Sequence, residues 1–299
     1  MPSETPSLAP GLYLVATPIG NLDDITLRAL DVLKRADRIA CEDTRQTQKL
    51  LNHYGITTPT LSCHEHNERS RATELIQDIQ AGKAVAVVSD AGMPGISDPG
   101  GLLVKEAIAA GVPVIPIPGA NAALSALIAS GLPTAEFHFV GFLPEKAGAR
   151  RTRLEELAAV PRDHAQTLLF YEAPHRIADT LGDLEFVWGP ALRAVAAREL
   201  TKLHEEFLRG TVAEIRKELV SRDRIRGEFV LLIEAPAQSA TALGGSDLAG
   251  RERLSDRVAR LQTEAGIDEK EALKRLAREL GQSKSELYRE LQRERAKVR

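Results

Sequence analysis

The sequence is poor in cysteine, lacks any hydrophobic run of membrane-spanning length, and carries none of the short nucleotide-binding signatures. Its two cysteines, Cys41 and Cys63, supply neither a disulfide framework nor a four-cysteine zinc site, a usage that fits a reducing compartment. The longest apolar stretches are broken by Pro or Asn well short of the roughly 20 residues a membrane span needs. A soluble, cytoplasmic protein is therefore expected. Residues 1–10 hold Pro, Ser, Thr and Glu without a basic segment or an apolar core, and read as a disordered tail, not a signal peptide. Neither GxxxxGK[ST] nor GxGxxG occurs, which argues against an ATP or NAD site.

What is present is enough for two domains and an appendage: 299 residues, 43% of them apolar. The formal charge of −3 conceals an asymmetry, since residues 251–299 carry a net +4 and the remainder −7. Basic charge gathered at one end suggests an acidic partner, most simply nucleic acid, although ion pairs on a solvated helical face give the same count.

The first ~120 residues alternate short apolar runs with helical periodicity. Strands are expected at 12–16, 37–41, 58–63, 84–88 and 113–117, and a helix carrying Leu27, Leu30 and Leu33 on one face follows the first. A second helix should end at Gly55, behind Leu50, Leu51 and Tyr54. Five strand–loop–helix units imply a parallel sheet covered on both faces. The loops at 17–24, 42–46, 63–68, 89–101 and 118–122 then gather on one edge, where open α/β sheets bind ligands. The loop SDAGMPGISDPG (89–100) says most: its glycines let a ligand approach the backbone, and Asp90 and Asp98 can accept hydrogen bonds from a polar or cationic group. Taken alone, the loop serves equally as a glycine-rich turn that only reverses the chain.

The second half is richer in strands, at 137–141, 167–171, 193–198, 205–209 and 227–234, with helical patterns near 150–159, 175–187 and 211–220. Some antiparallel pairing is expected there, and Thr211 is a candidate helix N-cap. The expected organisation is a tail at 1–10, α/β subdomains at 11–122 and 123–236, a linker at 237–250 and a helical region at 251–299. In the last, Leu273, Leu276, Ala277 and Leu280 stripe a helix stopping at Gly281, and Leu287, Tyr288 and Leu291 mark a second. That outline is helix-turn-helix-like, and Lys284, Arg289, Arg293 and Arg295 on or after the second helix favour RNA.

The glycine loop, the PGA turn (118–120) and the two-domain layout resemble the tetrapyrrole-methylase fold family of S-adenosylmethionine enzymes. The strings LVATPIGNLDDIT (14–26), ACEDTRQT (40–47), HEHNE (64–68), PGANAA (118–123), GFLP (141–144), FYEAPHR (170–176), ARELTKLHEE (197–206) and RGEFVLLIE (226–234) match one branch of it. That branch methylates the 2′-hydroxyl of a decoding-site cytidine in 16S rRNA. The resemblance covers roughly 11–235. It implies a parallel-sheet N-terminal domain, a mixed-sheet second domain, a small helical C-terminal domain, S-adenosylmethionine as methyl donor, and a homodimer. The relatives acting on tetrapyrroles carry a GGDP-type loop where this chain has SDAG (89–92), which argues against a porphyrinoid substrate. A small-molecule methyltransferase of the same fold, or a non-catalytic RNA-binding relative, remains the alternative.

The resemblance further implies a cofactor site built from Pro18, Ser89, Asp90, Ala91, Gly92, Ile96, Asn121, Ala122, Glu172 and the neighbourhood of Leu200. Glu172 can equally cap the helix begun at Ala173-Pro174. For the acceptor side, Asp43 is the candidate base or substrate orienter, Arg45 a phosphate contact, and Asn21 a ribose contact. Asp43-Thr44 can also simply cap a helix, and His64 and His66 make only a weak metal pattern, so no metal is expected. Lys146, Arg150, Arg151 and Arg153 form a basic stretch for RNA phosphates.

Overall fold

The computed structural model describes residues 7–64, 67–98, 100–238 and 254–280, together with 287, 288, 291 and 292. Residues 1–237 form one compact unit and 238–299 a second. No helix among the described residues is long and apolar enough to cross a membrane.

The first half alternates strand and helix in the order β1 (Gly11–Val15), α1 (Leu27–Arg35), β2 (Arg38–Cys41), α2 (Thr44–His53), β3 (Thr60–Ser62), α3 (Glu68–Gln80), β4 (Ala84–Val88), α4 (Gly101–Ala109) and β5 (Val114–Ile117). The strands pair in parallel in the order β3-β2-β4-β1-β5. Because side chains alternate along a strand, Val15, Ile39, Ala86 and Val88 pack with Val32, Leu33 and Leu51 on one face. Leu12, Ala40, Val85 and Val87 pack with Leu75, Ile79 and Leu103 on the other. Gly55 ends the second helical segment with φ +62°, the conformation a non-glycine residue resists.

One helical face differs from expectation. Leu27 is 86% exposed, and α1 is buried through Ala29, Val32 and Leu33 instead. Leu27 directly follows the N-cap Thr26, and two residues along a helix is about 200°, which turns Leu27 away from the sheet-facing Ala29.

α5 (Ala122–Ser130) leads into a second sheet made of β6 (Phe137–Phe142), β7 (Gln166–Glu172), β8 (Arg193–Arg198), β9 (Glu206–Thr211) and β10 (Phe229–Ala235). The intervening helices are α6 (Ala147–Ala158), α7 (Ile177–Trp188) and α8 (Val212–Val220). The order β6-β7-β10-β8-β9 combines one parallel pair, β6 with β7, and three antiparallel pairs. α6, α7 and α8 cover one face through Leu154, Leu181 and Ile215, whereas Ala126 and Leu127 of α5 cover the other. Thr211 caps α8 through a reciprocal pair of bonds with Glu214. The fold is thus the two-domain, parallel-plus-mixed-sheet architecture that the resemblance implied.

In the second unit, within the stretch 251–299 expected to be helical, α9 (Leu254–Ala265) turns through Gly266 (φ +62°) into α10 (Glu269–Leu280). Asp268 accepts the Glu271 N–H at 2.8 Å and so caps α10. Leu254, Val258, Leu273, Leu276, Leu287 and Leu291 form a separate core. The expected stop at Gly281 and the expected RNA contacts Lys284, Arg289, Arg293 and Arg295 lie outside the described residues.

Candidate active site

All five strands of the first sheet run the same way, so their carboxyl ends and following loops share one edge. The loop after β4 is tied to the loop after β1. Thr17 and Gly92 exchange main-chain hydrogen bonds of 2.9 and 3.0 Å, and the Thr17 hydroxyl donates to Ser89 O at 3.1 Å. The Ser89 hydroxyl donates in turn to Gly92 O at 3.1 Å. Gly92 has φ +84°, and a Cβ there would lie 3.4 Å from Ile19 and 3.7 Å from Ala120 O. Gly119 approaches so closely that a Cβ would come within 2.8 Å of the Ala16 Cβ. Three backbone turns, 17–20, 89–92 and 118–122, therefore converge on one cradle, with Pro18 and Ser89 buried and Asp90, Ala91 and Ile96 exposed. Asn121 caps α5, accepting the Leu124 N–H at 2.9 Å, with Ala122 half-buried behind it.

The second sheet reaches the same cradle. Glu199 and Thr201 adopt φ +51° and +65°, rare values for side-chain-bearing residues. They flank Leu200, which is buried against α5. The Asn21 N–H donates to the Thr201 hydroxyl at 3.0 Å, and a side chain at Gly20 would run into Lys202. Asn21 itself caps a single 3-10 turn, Leu22–Asp24, by accepting the Asp23 N–H.

Glu172 is placed differently from the reading that made it a ligand contact. Its side chain is fully buried at the end of β7; it accepts from Thr180 Oγ1 at 2.6 Å and the Ala173 N–H at 2.9 Å, and pairs with Arg176 at 3.2 Å. With these partners inside the fold, it anchors the start of α7.

The acidic residues of the edge divide sharply. Asp43 caps α2 and forms a two-pronged pair with Arg45, Oδ1 to Nε 3.1 Å and Oδ2 to a terminal nitrogen 2.8 Å. Arg45 thereby holds the Asp43 carboxyl down at about 2. Asp98 is the opposite case: burial, then repulsion from Glu42 and Asp90, push its carboxyl up to about 6, against a smaller pull from the Ser89 hydroxyl. Partial burial also raises Asp90, beside Asp43. Asp98, Glu42, Ser89, Gly100, Cys41 and Cys63 line one pocket. Burial raises both thiols, that of Cys63 to about 11, so they form a protonated, unreactive wall.

Glu68, in the HEHNE string, has a structural task. One carboxylate oxygen accepts the N–H groups of Gly100, Leu102 and Leu103 at 3.0, 3.1 and 3.2 Å, closing the N-terminus of α4. His66 lies outside the described residues, and among those described no group of three or more His, Cys, Asp and Glu is placed to hold a metal ion.

The basic stretch splits in the same way. Arg150 was expected on RNA, yet it is 4% exposed and pairs with buried Asp183 at 2.6 Å. Arg151 shares Asp183 at 2.5 Å and lies over the Phe186 ring. Lys146 is exposed, and Arg153 is half-exposed in a helical pair with Glu156. An arginine in the first turn of α6 packs inward when a neighbouring helix offers a buried carboxylate, and nothing local to residue 150 signals Asp183.

The model of Tetrapyrrole (Corrin/Porphyrin) Methylases matches residues 11–216. The chain is 48% identical over 279 residues to the ribosomal RNA small subunit methyltransferase I of Halalkalibacterium halodurans, covering 93% of each chain. It is 44% identical over 280 residues to that of Bacillus subtilis, covering 93% and 92%. Among solved structures it is similar to uroporphyrin-III C-methyltransferase from Thermus thermophilus complexed with S-adenosyl homocysteine. There the TM-score is 0.51 and the identity 20%, over 79% of this chain and 100% of the other.

Proposed function

The chain belongs to the tetrapyrrole methylase family, and within it to the ribosomal RNA small subunit methyltransferase I group, and from that membership we propose that it methylates the 2′-hydroxyl of a decoding-site cytidine in 16S rRNA. The observation that carries the reading is the cradle of the three turns 17–20, 89–92 and 118–122 beside the Asp98 pocket. Its methyl donor is S-adenosylmethionine. The cradle suits that molecule. At Gly92, with φ +84°, any larger residue would be strained, and exposed Asp90 can accept from a ribose diol or an α-ammonium group. Pro18, Ser89, Ala91, Ile96, Asn121 and Ala122 would complete it, with Leu200 as its apolar neighbour.

Bound S-adenosylmethionine supplies a methyl group already activated by the sulfonium charge. The protein's part is to hold the acceptor oxygen in line and to receive its proton. Asp98 receives that proton as the oxygen–carbon bond forms, because a carboxyl near 6 is ionised at neutral pH yet still basic. Asp43, held at about 2 by Arg45, is a poor proton acceptor and serves as the orienter, fixing Arg45 toward an RNA phosphate. Asn21 fixes the ribose from the neighbouring loop. Lys146, Arg153 and the net +4 region at 251–299, including Lys284 and Arg289, meet the RNA backbone. A homodimer forms through the outer face of α5, where Leu124 and Ile128 stand one turn apart, 46% and 80% exposed. The protein works where ribosomal subunits are, in the cytoplasm.

The test uses purified protein, labelled S-adenosylmethionine, and small subunits or 16S rRNA from cells lacking the protein. Mass mapping should place one methyl on the ribose of one cytidine, and removing 238–299 should weaken RNA binding without changing donor affinity. A methyl on a base, or transfer to a small molecule and none to RNA, would refute the proposal.

A further inference from the structure

We propose that the ring of Phe142 is the stacking platform for the target nucleobase once that base is extruded from the RNA, an inference that rests on the rRNA methyltransferase reading above. Phe142 ends β6 with 57% of its surface exposed, an unusual position for a ring whose neighbours Phe139 and Tyr171 are half-buried. The local backbone explains how it gets there. The register of β6 against β7 shifts between Phe139 and Gly141, and such a bulge re-aims the side chains that follow it. Gly141 has φ +76°, and a Cβ at that residue would lie 3.3 Å from the Ser97 hydroxyl oxygen. Phe142 thus follows directly on the point where β6 touches the loop carrying Asp98.

The ring is also held in place. Leu143 beside it is buried, and Arg176, itself paired with Glu172, donates to Leu143 O at 2.8 Å and Pro144 O at 3.3 Å. The Phe142 and Tyr171 rings are 5.6 Å apart and inclined at 63°, an edge contact that leaves the exposed ring surface for another planar group. Tyr171 is in turn close enough to Asp98 to feel its charge. A fixed aromatic face, the carboxyl pocket and exposed Lys146 four residues on together match a single nucleotide: base, ribose hydroxyl and phosphate. A buried nucleotide must be unstacked to reach a pocket, and an aromatic face offsets that loss for any base.

The test measures methylation kinetics on 16S rRNA, donor affinity and sedimentation for the full-length protein and its Phe142→Ala, Phe142→Leu and Phe142→Trp variants. Loss of one stacked base corresponds to roughly a 5- to 150-fold change, so Phe142→Ala should raise KM for RNA by that factor. Phe142→Trp should restore it and Phe142→Leu should not, with donor affinity and mass unaltered throughout. The platform is overturned if Phe142→Ala keeps the wild-type KM, if leucine serves as well as tryptophan, or if the loss accompanies a change in oligomeric state or donor affinity. Wild-type protein that transfers no methyl to RNA overturns the parent reading, and the platform with it. An active wild type with an indifferent Phe142 overturns the platform alone.

Discussion

Asparagine at position 98 separates the proposed proton-accepting role of the carboxyl from its shape. In the folded protein the Asp98 carboxyl stands at about 6, against an ordinary 3.8. A rise of about two units corresponds to roughly 3 kcal/mol between protonated and ionised forms. Solvent screening at a side chain that is only half-buried reduces this to about 1–2 kcal/mol. Because the folded value is raised, the stabilising contribution is complete below about pH 4 and is lost as pH rises through about 6. At about pH 8 the ionised carboxylate therefore opposes folding, and Asp98→Asn should stabilise the protein by that 1–2 kcal/mol, roughly 2–6 °C in Tm. At about pH 4 the variant and the wild type should melt together. Methylation should behave in the opposite sense. The turnover of Asp98→Asn should fall by about 100-fold or more, and the rising limb of the pH–rate profile near pH 6 should disappear while donor affinity stays unchanged. Thermal melts at the two pH values and single-turnover methylation are the measurements. Near-normal turnover, or an equal Tm gain at both pH values, would refute the assignment.

Two other substitutions test the structural roles. Glu68→Ala strands three N–H groups at the start of α4 and should cost about 2–4 kcal/mol in a denaturant titration, with Glu68→Gln retaining part of the loss. Arg150→Ala leaves Asp183 buried with Arg151 as its remaining partner and should cost about 1.5–3 kcal/mol, yet the folded fraction should bind RNA with wild-type affinity; Arg153→Ala should do the reverse.

The parallel sheet and the edge on which its loops gather were legible because their signals are local: apolar runs, helical stripes and glycine-rich turns fall in a fixed order. The cradle was legible for the same reason, since its three turns are each contiguous strings. What local pattern did not carry was the state of individual charges. Asp98 sits in the same loop as Asp90, but its raised carboxyl depends on burial and on Glu42 from another loop. Arg150 reads as one of four basic residues until Asp183, 33 positions away, takes it into the interior. Glu172 and Thr180 meet only once α7 folds back on β7. Leu27 shows that a stripe at helical spacing does not say which neighbouring stripe faces the sheet.

The loop at 89–100 is best understood as a junction. At Gly92 it is bonded to the turn after β1, at Gly100 it is held by Glu68, and near Ser97 it touches Gly141 of the second sheet. Ser97 has φ +58°, a strained value for serine, at the contact with β6. The proposed donor side at the cradle and the proposed acceptor side at Asp98 and Phe142 therefore share this one loop. Positioning oxygen, methyl and sulfur in line requires two partners to be placed relative to one another and not merely bound. On the proposed reading a single loop, bonded to the turn after β1 and lying close to Gly141 of β6, does this, and displacement at residue 97 should disturb turnover before it disturbs either binding step.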